Sequence, residues 1–387
     1  MTEHFARISL NCVPNVGAAK VRSLINAFGS LVAAAKATPI EITQTCDGIG
    51  IELANAILEA LNSTRGQLEV AKASTCGVTI LTELSEHWPK TFEDLDSPPL
   101  CLYCAGNTAI LNDPQIAIIG TRADSLYGKS HAKTFAHYLA NVGYHITSGL
   151  AVGIDTAAHK GALVADDTSA GKAIAVVGSG LDVLYPQENR PLAREIVKLG
   201  GVVISEYPFG RHADPKTFPQ RNRLIAALSD AILVIETART GGTLITVEHA
   251  KRLKRPIFTI PGRIEWTSFQ GNHKLAHDNI ATLVVHPEQI ISAIAGDIPL
   301  EDEEIVFEIL PEVQLTKKKS PTTTRPLGLT PDEIKVWDAT DFDGVTLDTI
   351  CERTGILINQ VLAITTHLQM RKKLRTLPGG LIARNPN

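Results

Sequence analysis

Between about residue 115 and residue 285 the chain alternates short apolar runs with longer segments whose apolar positions recur every three or four residues. The runs at 115–119, 145–147, 173–177, 202–205, 231–235, 256–260 and 282–285 have strand length. Several, such as AILVI at 231–235, are apolar at consecutive positions, which suits strands buried on both faces. Helical spacing fills the gaps at 125–141, 155–165, 190–199, 219–228 and 243–253. Strand–helix alternation of this kind predicts an α/β domain over 72–295, with an extended, Rossmann-like parallel sheet covered on both faces.

The flanks carry different patterns. Residues 1–70 predict short helices, including 18–28 and 51–62, each opened by a glycine turn (Val13-Pro14-Asn15-Val16-Gly17 and Asp47-Gly48-Ile49-Gly50). That is the helix-hairpin-helix or SAM-like pattern, whose turn amides can hold a DNA phosphate and which also serves protein contacts. Residues 296–328 run from Glu301-Asp302-Glu303-Glu304 to Lys317-Lys318-Lys319-Ser320-Pro321 and predict a linker. Residues 329–387 predict helices at 331–340, 347–354 and 357–370 and a hairpin turning at Pro378-Gly379-Gly380, a winged-helix layout. This tail carries seven acidic and seven basic residues, which favours protein contact or regulation over duplex binding.

At 387 residues and 44% hydrophobic content the chain is long and apolar enough for two or three domains. Net charge is −4, so a nucleic-acid role needs a local basic patch. The stretch from Arg211 to Arg255 supplies one, with nine Lys/Arg against four Asp/Glu. No apolar run reaches membrane-spanning length, and MTEHFARISLNCVPN lacks a basic-then-apolar signal pattern, so a cytoplasmic protein is expected, with no membrane partner. Cys101-Leu-Tyr-Cys104 has no second pair and no nearby His, which assigns it to a reduced core strand rather than a zinc site.

Candidate chemistry gathers where predicted strands end. Gly120-Thr121-Arg122 follows the strand at 115–119, and Ser148-Gly149 opens a turn reaching Gly153-Ile154-Asp155. Phe218 precedes Arg221-Asn222-Arg223, and Gly241-Gly242-Thr243 opens the helix after the strand at 231–235. Ligands of open α/β sheets bind at the carboxyl ends of strands. Glycine-rich helix starts attract phosphate through backbone N–H groups, guanidinium groups bind it bidentately, and an aromatic ring stacks a base. A phosphate-bearing polymer or nucleotide is the expected ligand. The chain shows neither Gly-x-x-x-x-Gly-Lys-Ser/Thr nor a complete dinucleotide fingerprint after the first strand, so neither a P-loop nor NAD is expected. No metal cluster and no cofactor is expected either. Asp155 is read as a helix cap and His159 as a packed histidine. Glu206 and Glu236 are read as orienting Arg122, Arg221 or Arg223 by ion pairing, with glycosidic chemistry as the alternative.

Taken together, Gly120-Thr121-Arg122, Ser148-Gly149-x-Ala151-x-Gly153-Ile154-Asp155, Ser205-Glu206-Tyr207-Pro208, Phe218-Pro219-x-Arg221-Asn222-Arg223-x-Ile225, Gly241-Gly242-Thr243-Leu244-Ile245-Thr246 and Pro261-Gly262 resemble the DNA-processing protein A (DprA/Smf) family over roughly residues 75–290. The resemblance implies a cytoplasmic bacterial protein that binds single-stranded DNA. It implies further that the protein loads the RecA recombinase during natural transformation, works as a homodimer and has no catalytic turnover. Carried across, Arg122, Phe218, Arg221, Asn222 and Arg223 fall in the family's DNA pocket, lined by Ser148, Gly149, Gly241, Gly242 and Thr243. Three departures stand out: Ala226-Ala227 in place of a glycine, Gly242 in place of a serine or alanine, and a broken Gly-x-Asn pattern at Gly271-Asn272-His273-Lys274. The last bears on any dimer surface inferred there. Two other functions stay open: a nucleotide phosphoribohydrolase-like enzyme, and a nucleotide-sensing regulator whose winged helix binds duplex promoters.

Overall fold

The structure is a computed structural model that describes residues 2–165, 170–296, 329–340, 344–377 and 381–385. The chain divides into two compact units, Met1–Glu301 and Asp302–Asn387. Of the linker expected at 296–328, only Gly296 is among the described residues.

Among its described residues the first unit is built on nine strands: β1 Val78–Leu81, β2 Leu102–Gly106, β3 Gln115–Gly120, β4 His145–Ser148, β5 Ala173–Val176, β6 Val202–Ser205, β7 Ala231–Glu236, β8 Ile257–Thr259 and β9 Thr282–Leu283. They lie in the order β1-β2-β6-β5-β4-β3-β7-β8-β9. From β6 to β9 every neighbouring pair is parallel, whereas β1–β2 and β2–β6 are antiparallel. All seven predicted strands are present. The two antiparallel edge strands were not in the predicted set, because a four-residue VTIL and a run beginning at a Cys-x-x-Cys carry too little period-two signal. Cys104 lies in β2 and Cys101 just before it, both as buried free thiols.

Alternation along β3 sends Ile116 and Ile118 into one core and Ala117 and Ile119 into the other. The helices Leu126–Asn141, Ile154–Ala162, Arg190–Lys198 and Glu288–Ala295 cover the first face; Thr217–Leu228 and Thr243–Arg252 cover the second. Full burial of such an isoleucine contributes about 1.5–3 kcal/mol, so the central strands form a rigid base for the loops at their ends.

Among the described residues six helices precede the sheet, from Glu3–Asn11 to Arg65–Thr75, around a core that includes Leu10, Leu24, Leu31 and Ile57. Gly17 and Gly50 cap the helices Ala18–Phe28 and Ile51–Asn62 without a side-chain hydrogen bond. The module is sewn to the sheet by packing of Ile8 and Ala73 with Ile80 and Tyr103, by the Arg7–Glu83 ion pair, and by Asn11 Nδ2 donating to the Glu206 carbonyl at 3.0 Å.

The second unit holds the helices Pro331–Ala339, Leu347–Thr354 and Ile358–Met370, then the antiparallel pair β10 Leu374–Leu377 and β11 Leu381–Arg384. Val345 bridges to Ile382, which adds a third short extended segment and completes a winged helix. The turn at 378–380 lies outside the described residues.

Candidate functional site

The chain leaves β3 through the helix Leu126–Asn141 and lays β4, β5 and β6 successively to one side. It then crosses over and lays β7, β8 and β9 on the other side of β3. The loops after β3 and β7 therefore diverge, and a crevice opens at the carboxyl end of the sheet where the strand order reverses. A cavity of about 360 Å³ occupies it. Its walls come from Thr121 and Arg122 after β3, from Phe218, Arg221 and Asn222 on the helix Thr217–Leu228, and from the Gly241-Gly242-Thr243 turn. A second cavity, of about 160 Å³, shares Arg122, Phe218 and Arg221 and adds Gly149, Tyr185 and Glu188.

Arg221 is the buried cation of the site, 4% exposed. Its Nη1 donates to the Val176 carbonyl at 2.5 Å. A Cβ on Gly149 would fall 2.0 Å from that nitrogen, so the turn after β4 must carry glycine for the guanidinium to lie there. Burial lowers the Arg221 pKa to about 10, with Arg122 adding to the shift and Asp155 opposing it, and the group remains a cation at neutral pH. Asp155 accepts from the backbone N–H groups of Gly149 at 3.1 Å and Ala151 at 3.3 Å. Burial pushes its carboxyl up, while Arg221 and these donors pull it down. The N-cap of the helix Ile154–Ala162 is Gly153, so Asp155 is not the cap expected from sequence; it braces the turn and faces Arg221 electrostatically. His159 is fully buried, and burial followed by Arg221 lowers its pKa to about 3, which leaves a neutral packed ring.

Arg122 is exposed and lies over the Phe218 ring, Cζ to centroid 4.8 Å, a cation–π arrangement that holds the guanidinium at the cavity mouth. Asn222 Nδ2 donates to the Gly242 carbonyl at 3.3 Å and so ties the two helices that flank the cavity. The helix Thr243–Arg252 starts without a side-chain cap; Leu244 and Ile245 N–H donate to the Gly241 and Gly242 carbonyls at 3.2 Å each, so the amides of the Gly241-Gly242-Thr243 turn ahead of them are the ones that can meet a ligand. Nothing lies within 4 Å of a Cβ built on Gly242, so the departure at that position costs the turn nothing.

Two of the expected residues lie elsewhere. Ser148 is buried, and its hydroxyl donates to the Ile118 carbonyl at 2.7 Å, joining β4 to β3. Arg223 does not line either cavity and pairs with Glu206, whose carboxyl is pushed up by burial and pulled back by that arginine. Glu206 thus orients an arginine as expected. Glu236 does not: its Oε2 accepts from Ser125 N at 3.0 Å and Ser125 Oγ at 2.8 Å, anchoring the start of the helix Leu126–Asn141. Neither carboxylate lines either of these two cavities.

Two residues of the site were missed. Tyr185 reaches the second cavity from a loop after β5 that no motif marks. Asn272, fully buried, accepts from Thr237 N at 2.8 Å and donates to Ile235 O and Thr259 Oγ1, each at 2.9 Å. It fixes the base of the 237–243 loop, and the signal for it was the Gly271-Asn272 pair inside the broken pattern. Among the described residues no group of three or more His, Cys, Asp and Glu is placed to hold a metal ion, and no helix is long and apolar enough to cross a membrane.

Residues 79–295 match the family described as DNA recombination-mediator protein A, and residues 320–380 match the DprA winged helix domain. The chain is 30% identical to Protein Smf of Synechocystis sp. over 386 residues, covering 95% of each chain. It is 33% identical to Protein Smf of Escherichia coli over 299 residues, 77% of this chain and 75% of the relative. Among solved structures it is similar to DNA processing protein A of Streptococcus pneumoniae, with TM-score 0.63 and 28% identity over 76% of this chain and 98% of the other. DNA processing protein A of Helicobacter pylori, described for its unique single-stranded DNA binding mode, aligns with TM-score 0.51 and 31% identity over 57% of this chain and 97% of that one. With its sheet, its crevice and its winged helix all accounted for, the chain belongs to the DNA recombination-mediator protein A (DprA/Smf) family.

Proposed function

We propose that this chain binds single-stranded DNA in the crevice between β3 and β7 and delivers it to RecA, working in the cytoplasm as a homodimer and without catalytic turnover. The observation that carries the reading is the gathering in one crevice of a buried cation, Arg221, an exposed one, Arg122, stacked on the Phe218 ring, and the glycine turn before a helix without a side-chain cap. Cations and backbone amides serve phosphates, and the aromatic wall serves a base; together they suit a nucleotide within a strand. The likeness to the Helicobacter pylori protein supports the same ligand. The phosphoribohydrolase alternative has less support from the two carboxylates it was built on, since Glu206 and Glu236 are turned to other partners and line neither cavity.

The test is binding of the full chain to single-stranded and blunt duplex DNA across a salt series. Single strands bind more tightly, and affinity falls as salt rises because phosphate counterions are released. Equal affinity for duplex, or no salt slope, refutes the reading. For delivery, RecA filament assembly is followed on strands precoated with single-strand-binding protein; no acceleration refutes it.

A further inference from the structure

The smaller cavity holds groups that phosphate binding does not use. Tyr185 exposes 46% of its surface there. Its ring lies 5.8 Å from that of Phe218, centre to centre, tilted by 50°. Phe218 is only half-buried, yet its ring is already engaged by the Arg122 guanidinium and by Tyr185. The larger free aromatic surface beside the cations is therefore that of Tyr185. The loop that carries it is held in place: Asn189 Nδ2 donates to the Leu150 carbonyl and to Thr156 Oγ1, each at 2.8 Å, and Arg190 Nε donates to the Leu184 carbonyl at 3.3 Å. The loop is thus pinned to the same 149–156 segment that seats Arg221.

Glu188 lines the same cavity and is exposed. A carboxylate accepts hydrogen bonds and cannot donate. It accepts from the exocyclic amino group of cytosine or adenine and is repelled by the carbonyl that thymine carries where cytosine has that group. An acid at the edge of a site for a polyanion works against phosphate, so its use is on the base side.

We infer that the smaller cavity is a nucleobase subsite in which Tyr185 is the stacking platform and Glu188 favours bases with an exocyclic amino group over thymine. The inference rests on the single-strand reading above. Phe218 then acts mainly by holding Arg122 and backing Tyr185.

The experiment measures binding of the full chain to oligo(dC), oligo(dT) and an abasic strand of equal length. The wild type prefers oligo(dC) to oligo(dT) on the order of fivefold, and Glu188→Gln brings that ratio close to one. Tyr185→Ala lowers the ratio of oligo(dT) to abasic affinity on the order of tenfold, and Tyr185→Phe retains it. Melting temperature controls for folding, and the ratios are internal to each variant. A wild type that binds oligo(dC) and oligo(dT) equally overturns the role of Glu188. A Tyr185→Ala protein with an unchanged oligo(dT) to abasic ratio overturns the stacking platform. A wild type that binds none of the three strands overturns the single-strand reading itself, an outcome distinct from either of these.

Discussion

The crevice and the tail's third helix are both places where a protein of this architecture can meet DNA, and they are built in opposite ways. In the crevice one cation is buried, another is clamped on a ring, and the local apolar groups are inside. On the helix Ile358–Met370 the exposed positions include Ile358, Leu362 and Met370, 54%, 53% and 79% exposed, and the cations Arg371, Lys372 and Lys373 follow its end. A duplex-reading helix needs polar and cationic side chains along its groove-facing side. The difference teaches that the sheet domain gathers its cations at one crevice, while the third helix of the tail exposes apolar residues among the neutral polar Asn359, Gln360 and Thr366 and keeps its cations to its end.

The largest effect should come from separating the two regions. A chain ending at residue 301 is expected to bind single strands as tightly as the full chain, and residues 329–387 alone to bind neither strands nor duplex in an anisotropy assay. Duplex binding by the tail fragment breaks the comparison.

Within the crevice, the two cations should fail differently. Arg221→Ala leaves Asp155 buried without its facing charge and is expected to cost about 3–5 kcal/mol of folding stability as well as strand binding, read from denaturant melts and anisotropy. Arg122→Ala removes an exposed charge and is expected to cost about 1–3 kcal/mol of binding with an unchanged melt. Equal melts for both variants would show that Arg221 is not structurally embedded.

A third expectation sharpens the same contrast through pH. His159 has an ordinary value of 6.5 and a folded value of about 3, so the unfolded chain takes up its proton first as pH falls. Stability from this group is full above pH 6.5 and is lost as pH drops toward 3, at about 1.4 kcal/mol per unit once well below 6.5. His159→Leu should flatten that limb of the stability–pH curve of the sheet domain, and an unchanged slope counts against a neutral buried ring. The smallest effect is expected at Gly242→Ser, where the open space around the position predicts a change within about 0.5 kcal/mol in melts and in strand binding.

The sheet was legible because its parallel strands are apolar at nearly every position, and the crevice was legible because its glycines and cations sit at strand ends. What was not legible is direction. Arg221 and Arg223 are two residues apart on one helix, so they lie about 200° apart around its axis and cannot serve one cavity; one is seated under Gly149 and the other meets Glu206. Ser148 ends β4 as expected, but its hydroxyl points to a neighbouring strand carbonyl. Glu236 follows from no local pattern either: Gly128, more than a hundred residues earlier, leaves the space its carboxylate fills, since a Cβ there would fall 2.1 Å from Oε2. Tyr185 enters through a loop whose placement depends on Asn189, which no periodicity reports.

The fit between Gly149 and Arg221 also constrains how this lineage can drift. A methyl group at 149 and a guanidinium at 221 exclude each other, so position 149 is not free to change while Arg221 is kept. Once a descendant chain gave up Arg221, its Gly149 would no longer be guarded, and alanine or serine should accumulate there. Across related genomes a side chain at 149 should therefore appear only where Arg221 is gone, although the two positions are 72 apart in sequence.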